Sequence, residues 1–238
     1  MPTTFAPGLV IQGFTPPLSL TDFKLIAFDM DSTLIDIECV DEIADAVGLK
    51  EEVAAITEAA MRGEIADYKD SLRRRVALLR GVTVADMELV YTSRLELNPG
   101  AERLVQACKA AGMKTLLVSG GFTFFTERVM AAAGFHANRA NTFVIENDAL
   151  VGQVGEPILG KQAKLDALTE EAAALGVPLT DSIAIGDGAN DLAMIKAAGL
   201  GVAYRAKPIV AAEADCKVDF ADLTAVLHFQ GYRQDEFA

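Results

Sequence analysis

The sequence predicts an α/β protein: a Rossmann-like parallel sheet interrupted by an inserted small helical-bundle domain. Three observations lead there. Short apolar runs recur at 24–28, 114–118, 182–185 and 199–203, each followed by polar or Gly-rich residues. Helical patterns lie between them, at 100–111, 122–133, 161–175 and 191–198. Residues 39–97 break this alternation and contain no convincing strand.

Taken in chain order, residues 1–20 lack Lys and Arg and carry Pro2, Pro7, Pro16 and Pro17, so they read as an irregular leader. The run 24–28 is continuously apolar after its lysine, the pattern of a strand buried on both faces. Four helices are expected at 40–47, 51–61, 67–79 and 84–95, separated by Gly48, Gly63 and Gly81. An insertion of this length far exceeds the usual connection of ~4–6 residues, which marks 38–97 as a helical cap. Asn98-Pro-Gly100 closes it. Further on, 142–146 and 149–154 flank the polar pair Asn147-Asp148 and predict a β-hairpin. The expected organisation is a leader at 1–20, a core formed by 21–37 and 98–238, and the cap at 38–97.

Composition narrows the function. The 238 residues hold 34 acids and 21 bases, a net charge of −13. Nucleic-acid binding needs a basic face, and attachment to anionic lipid needs the same, so neither is expected. A local anion site remains compatible with that charge. Cys39, Cys108 and Cys216 lie far apart and form no ligand spacing with His136 or His228, so buried reduced thiols are expected. The start of the chain is a poor secretory signal, and no apolar run approaches the ~20 residues of a membrane span. These features predict a soluble cytoplasmic protein, a monomer or homodimer, acting on a small molecule.

Four clusters carry the chemistry. Asp29-Met-Asp31-Ser-Thr33 follows the first buried strand. Two carboxylates so close repel each other and need a cation or a shared proton. A hard ion such as Mg²⁺ takes such oxygens, and a carboxylate at a strand tip can be a covalent nucleophile. The plain alternative is that Asp31 or Ser32 caps the next helix. Gly186-Asp-Gly-Ala-Asn-Asp191 follows the run 182–185 and places Asp187 at a second strand end, with Asp191 four residues on. Ser119-Gly-Gly121 offers a hydroxyl and exposed amides to phosphate. Lys164 is the fourth element, with Lys161 competing for its place.

In this order the clusters resemble the four motifs of the haloacid-dehalogenase-like phosphatase superfamily, over about 25–201. The strings Asp29-Met-Asp-Ser-Thr-Leu34, Glu38-Cys-Val-Asp-Glu-Ile-Ala44, Ser71-Leu-Arg-Arg-Arg-Val76, Ser119-Gly-Gly-Phe122 and Gly186–Leu192 resemble its phosphoserine-hydrolysing branch. That resemblance implies hydrolysis of O-phosphoserine to serine and phosphate, the last step of serine synthesis. It implies Asp29 as nucleophile and Asp31 as general acid, then base. It places Mg²⁺ on the Asp29 carboxylate, the Asp31 main-chain carbonyl and the Asp187 carboxylate. Ser119, the Gly120 amide and Lys164 would hold the phosphoryl group, Asn190 the substrate or its loop, and Asp191 would support Lys164 or the metal waters.

Glu38 matches the branch's ammonium-binding glutamate. Arg73, Arg74 and Arg75 compete for the substrate carboxylate. The branch sets its arginine seven residues after a cap aromatic, a spacing met by Tyr68 and Arg75, with tyrosine in place of the usual phenylalanine. Two helical turns put that pair on one face. The rivals are a transferase passing the phosphoryl group to another small alcohol such as homoserine, a phosphatase for a different small ester, and a dead scaffold. Retention of Asp29, Asp31, Asp187 and Asp191 argues against the last.

Overall fold

Leu25, Ile26, Ala27 and Phe28 are each 0% exposed, the burial that a continuous apolar run requires when a sheet is covered on both faces. The computed structural model describes residues 3–6, 8–160 and 162–229. Its elements begin with β1 (Thr3–Ala6), β2 (Leu9–Ile11) and β3 (Leu25–Phe28). Helices α1 (Cys39–Ala46), α2 (Lys50–Met61), α3 (Tyr68–Leu78) and α4 (Val84–Ser93) follow without an intervening strand. The chain continues through α5 (Ala101–Ala110), β4 (Lys114–Phe122), α6 (Thr123–Ala133), β5 (Ala137–Asn141), β6 (Phe143–Glu146) and β7 (Ala149–Val154). It ends with α7 (Ala163–Leu175), β8 (Ser182–Gly186), α8 (Leu192–Ala197), β9 (Leu200–Tyr204), α9 (Pro208–Glu213), β10 (Cys216–Val218) and α10 (Ala225–His228).

The main sheet runs β1-β2-β10-β9-β8-β3-β4-β5. From β10 to β5 every pairing is parallel. Strand β3 lies between β8 and β4, with Phe28 opposite Ile185 and Leu117. The residues just past Phe28, Val118 and Ile185 therefore emerge side by side at the carboxyl edge, where ligands of parallel sheets bind.

The expectation of an irregular leader is corrected at two short strands. β1 and β2 pair antiparallel, and β2 pairs antiparallel with β10. Leu9 and Ile11 are buried, and the Gln12 side chain donates to the carbonyls of Ala211 and Ala214. Three alternating residues between Gly8 and Gly13 are enough to cover the sheet edge, but too few to register as a strand pattern. Strands β5 and β10 and helices α9 and α10 were likewise not expected. β5 reads Ala-Asn-Arg-Ala-Asn, an edge strand with no apolar run. The 142–154 hairpin forms as expected, with positive φ at Asn147 (49°) and Asp148 (60°), the twist-compatible turn of a two-residue hairpin. Cys39, Cys108 and Cys216 are free and buried. No helix among the described residues is long and apolar enough to cross a membrane.

The helical insertion is fastened at two places. Where it rejoins the core, buried Asn98 donates through Nδ2 to the carbonyls of Thr33 (2.9 Å) and Ile35 (3.0 Å), and its backbone N–H donates to Leu34. Between α3 and α4 it is joined to the β6–β7 hairpin. Gly81 N–H donates to Leu150, Leu150 N–H to Val82, and Val84 N–H to Asp148. Within the insertion, a capping box between Thr83 and Asp86 starts α4, and Arg94 links it to Glu42 and Asp45 of α1.

Asn98→Ala strips two buried carbonyls of their donor, in the loop that follows Asp31. It is expected to lower unfolding free energy by about 2 kcal/mol, read as a shift of the urea midpoint at unchanged slope. A midpoint equal to that of the wild type would show that the amide does not hold this loop.

Candidate active site

Asp29 is the first residue past β3, and its N–H donates to the Ile185 carbonyl, continuing the pairing with β8. Its carboxylate is buried. Oδ1 accepts from Met30 N–H at 2.8 Å and from Lys164 Nζ at 2.5 Å. Lys164 comes from the first turn of α7, is 4% exposed, and also donates to Asp191 Oδ1 at 2.5 Å. Burial opposes the ammonium, yet Asp191 and Asp29 outweigh it and push the Lys164 pKa up. Burial and then the Asp191 charge raise the Asp29 carboxyl, against the pull of Lys164. Lys161, the competing lysine, lies outside the described residues.

Asp191 organises the second loop. Its Oδ2 accepts from the N–H groups of Asp187 (3.2 Å) and Gly188 (2.9 Å), folding residues 186–191 back on themselves. Asp187 is thereby turned toward the first loop, where its Oδ1 accepts from Thr33 Oγ1 at 3.3 Å. Carboxylate oxygens of Asp29, Asp187 and Asp191 all lie within 4.8 Å of one another. Both oxygens of Asp191 are already engaged, so Asp29 and Asp187 are the carboxylates able to hold a cation. Burial and the Asp191 charge raise the Asp187 pKa. A hard-oxygen set under such mutual repulsion suits a divalent ion such as Mg²⁺.

Asp31 lies in the same cleft. Its Oδ1 is buried and has no hydrogen-bond partner among the described residues. Burial, then the charge of Glu38, pushes its pKa up to about 7, well placed for giving and taking a proton near neutrality. Neither Asp31 nor Ser32 caps α1: the helix starts at Cys39, and Ser32 takes a positive φ of 57°. Ser32 instead donates to Glu38 Oε1 at 2.7 Å, holding that carboxylate at the cleft mouth.

Ser119, Gly120 and Gly121 extend β4 beyond the point where regular pairing with β5 breaks. Helix α6 follows at Thr123, within one residue of the expected start. Gly121 N–H donates to Ser119 Oγ at 2.8 Å. A Cβ on Gly121 would sit 3.0 Å from both Asp31 Oδ2 and Ser119 Oγ, so this backbone must stay bare.

The insertion supplies the other wall. Asp29, Asp31, Glu38, Ser119, Asp187 and Asn190 share a cleft of about 510 Å³ with Tyr68 and Arg75. Tyr68 and Arg75 both face it from α3, as their spacing predicts. Arg73 and Arg74 turn outward to Glu156 and Asp70. Arg75 lines the cleft, and its Nε is buried without a partner among the described residues.

Several contributors were not foreseen. Lys207 lines the cleft, and its N–H donates to the Asp187 carbonyl at 3.0 Å. A single lysine before Pro208 carries no motif. Asn141 donates to the Gly120 carbonyl at 2.8 Å and accepts from Leu159 N–H. Its polar strand gives no sign of this in sequence. His136 accepts at Nδ1 from Thr115 N–H, away from the site.

Comparison with known proteins agrees with this geometry. The haloacid dehalogenase-like hydrolase family matches residues 26–196. A phosphoserine phosphatase of Albidiferax ferrireducens is 59% identical over 230 residues, covering 95% of this chain and 97% of its own. One from Polaromonas sp. is 58% identical, over 95% and 98% of the two chains. Among solved structures, a phospho-aspartyl intermediate analogue of phosphoserine phosphatase superposes with a TM-score of 0.80 at 38% identity, over 87% and 98% of the chains. A substrate-bound phosphoserine phosphatase complex gives 0.80 at 37% identity over the same shares. The chain belongs to the haloacid dehalogenase-like hydrolase family.

Proposed function

We propose that the protein hydrolyses O-phospho-L-serine to L-serine and phosphate through a phosphoryl group carried on Asp29. The observation that carries this reading is one cleft holding a lysine-clamped carboxylate, a protonatable Asp31, and a glutamate and an arginine of opposite sign. The substrate's ammonium and carboxylate call for such a pair. Relatives at 59% and 58% identity named phosphoserine phosphatase support the same substrate.

One oxygen of the Asp29 carboxylate attacks phosphorus in line. The bond from phosphorus to the serine oxygen breaks, and Asp31 delivers its proton to that oxygen, because an alkoxide leaves poorly unprotonated. Water then attacks the acyl phosphate on Asp29. Asp31 takes the water's proton, and phosphate leaves with the Asp29 carboxylate restored. Ser119 Oγ–H, the Gly120 N–H and Lys164 offset charge on the transferring group. Glu38 receives the ammonium, Arg75 the carboxylate, and Asn190 hydrogen-bonds the substrate.

The Asp29 and Asp187 carboxylates, with the Asp31 main-chain carbonyl, would hold Mg²⁺. When bound, it neutralises phosphoryl charge as a Lewis acid. The 38–97 segment acts as the cap and excludes water. Three buried free thiols suit a reducing, cytoplasmic setting.

A phosphate-release panel over small phosphomonoesters should show phosphoserine as the preferred substrate. Phosphohomoserine as the main product when homoserine is added would replace hydrolysis by transfer. Asp29→Asn should abolish phosphate release in folded protein, and full activity in that variant would end the mechanism.

Arg75→Ala should raise KM by about tenfold or more, as loss of a charge-assisted contact implies. Arg73→Ala should stay within about twofold, because its partner is the exposed Glu156. Equal effects would return the carboxylate clamp to an open question among the three arginines.

Chelator should remove activity and added Mg²⁺ should restore it. Full activity in chelator would exclude a role for the metal.

A further inference from the structure

Gly120 C=O and Gly121 N–H belong to one peptide group, and that group is held from both ends. The N–H end donates to Ser119 Oγ at 2.8 Å. The carbonyl end accepts from Asn141 Nδ2 at 2.8 Å and from Tyr68 Oη at 3.2 Å. Asn141 belongs to the core, whereas Tyr68 is the first residue of α3 in the insertion. The cap therefore touches the phosphate-binding strand through a hydrogen bond to the peptide that orients Ser119.

We propose that Tyr68 is a positioning residue that acts through this peptide on Ser119, so that docking of the cap readies the serine hydroxyl to bind phosphate. The inference rests on the proposed role of Ser119 in holding the phosphoryl group. An Oγ that accepts from Gly121 N–H has its own proton free to point at the phosphoryl oxygens. A carbonyl that accepts two donors is polarised, and its N–H becomes a better donor in turn. Tyr68 thus fixes the plane of the peptide and strengthens its bond to Ser119. When the cap withdraws, the carbonyl keeps only Asn141, and the plane loses one of its two restraints.

The site accommodates this contact closely. A Cβ on Gly120 would lie 2.6 Å from Tyr68 Oη, so glycine is what lets the hydroxyl reach the carbonyl. Burial also raises the Tyr68 pKa, which keeps the phenol protonated as a donor. Among the described residues, other ties between insertion and core include Asn98 and the β6–β7 hairpin, whose Phe143 stacks on Phe122 at the end of the phosphate strand. Of these, Tyr68 is the one that hydrogen-bonds the peptide joined to Ser119.

A double-mutant cycle tests the coupling, using inorganic phosphate with Mg²⁺ in calorimetry and phosphoserine turnover in parallel. Tyr68→Phe should weaken phosphate binding and lower kcat/KM by about three- to tenfold, the range of one neutral hydrogen bond. In a Ser119→Ala background the same substitution should change either quantity by less than twofold, because its route is gone. Equal losses in both backgrounds, or no loss with Ser119 present, would overturn the proposal. The phosphate arm does not depend on which alcohol the enzyme releases. Coupling seen there with phosphoserine left intact would support the role of Tyr68 and sink the proposed substrate. Turnover of phosphoserine with an additive cycle would do the reverse. A wild type that binds no phosphate would overturn both.

Discussion

Lys164 brings an ammonium into a space that is almost closed to water and holds it 2.5 Å from two carboxylates, Asp29 and Asp191. A buried ion pair gains little over an apolar replacement, but removing one partner costs about 3–5 kcal/mol, because a charge is left unmatched. The surrounding architecture follows from that constraint. The Asp29 carboxylate sits at the end of a strand covered on both faces, where burial raises its pKa and Lys164 opposes that rise. Helix α7 must deliver a lysine from the far side of the sheet, and the 186–191 loop must curl so that Asp191 meets it. The two amides that bind Asp191 Oδ2 then turn Asp187 toward Asp29. The ammonium that opposes protonation of Asp29 thus also assembles the carboxylate cluster.

The insertion solves a different problem. Glu38 stands on the stretch that leads from the first loop into α1, and Arg75 stands on α3, so the insertion brings one group of each sign to the cleft beside the carboxylates of the core. Within a chain of net charge −13, the acids Asp29, Asp31, Glu38 and Asp187 line the cleft and are opposed there by Arg75 and Lys207.

Much of this was legible in the sequence because the signals were local. The run 24–28 announces a buried strand, and a carboxylate placed directly after it has no structural reason to be there. The family resemblance singled out the pair Tyr68 and Arg75, and helical periodicity put the two on one face. What stayed hidden depends on contacts between distant segments. β2 is three residues long, and its meaning comes from β10. Asn141 sits on a strand without an apolar run and acts through a carbonyl twenty-one residues away. Lys207 reaches the cleft only because β9 ends beside β8. The tyrosine hydroxyl at position 68 could be read as an aromatic wall, but not as a donor to a particular peptide.

The backbone hydrogen bonds between the insertion and the β6–β7 hairpin have a mechanical consequence. Moving the whole insertion away from the core would break the three bonds at Gly81, Leu150 and Val84, as well as the grip of Asn98. A movement that kept those bonds and opened the start of α3 would break the Tyr68 hydroxyl bond. The row of backbone bonds is thus the stitched side of a flap whose opposite corner carries Tyr68.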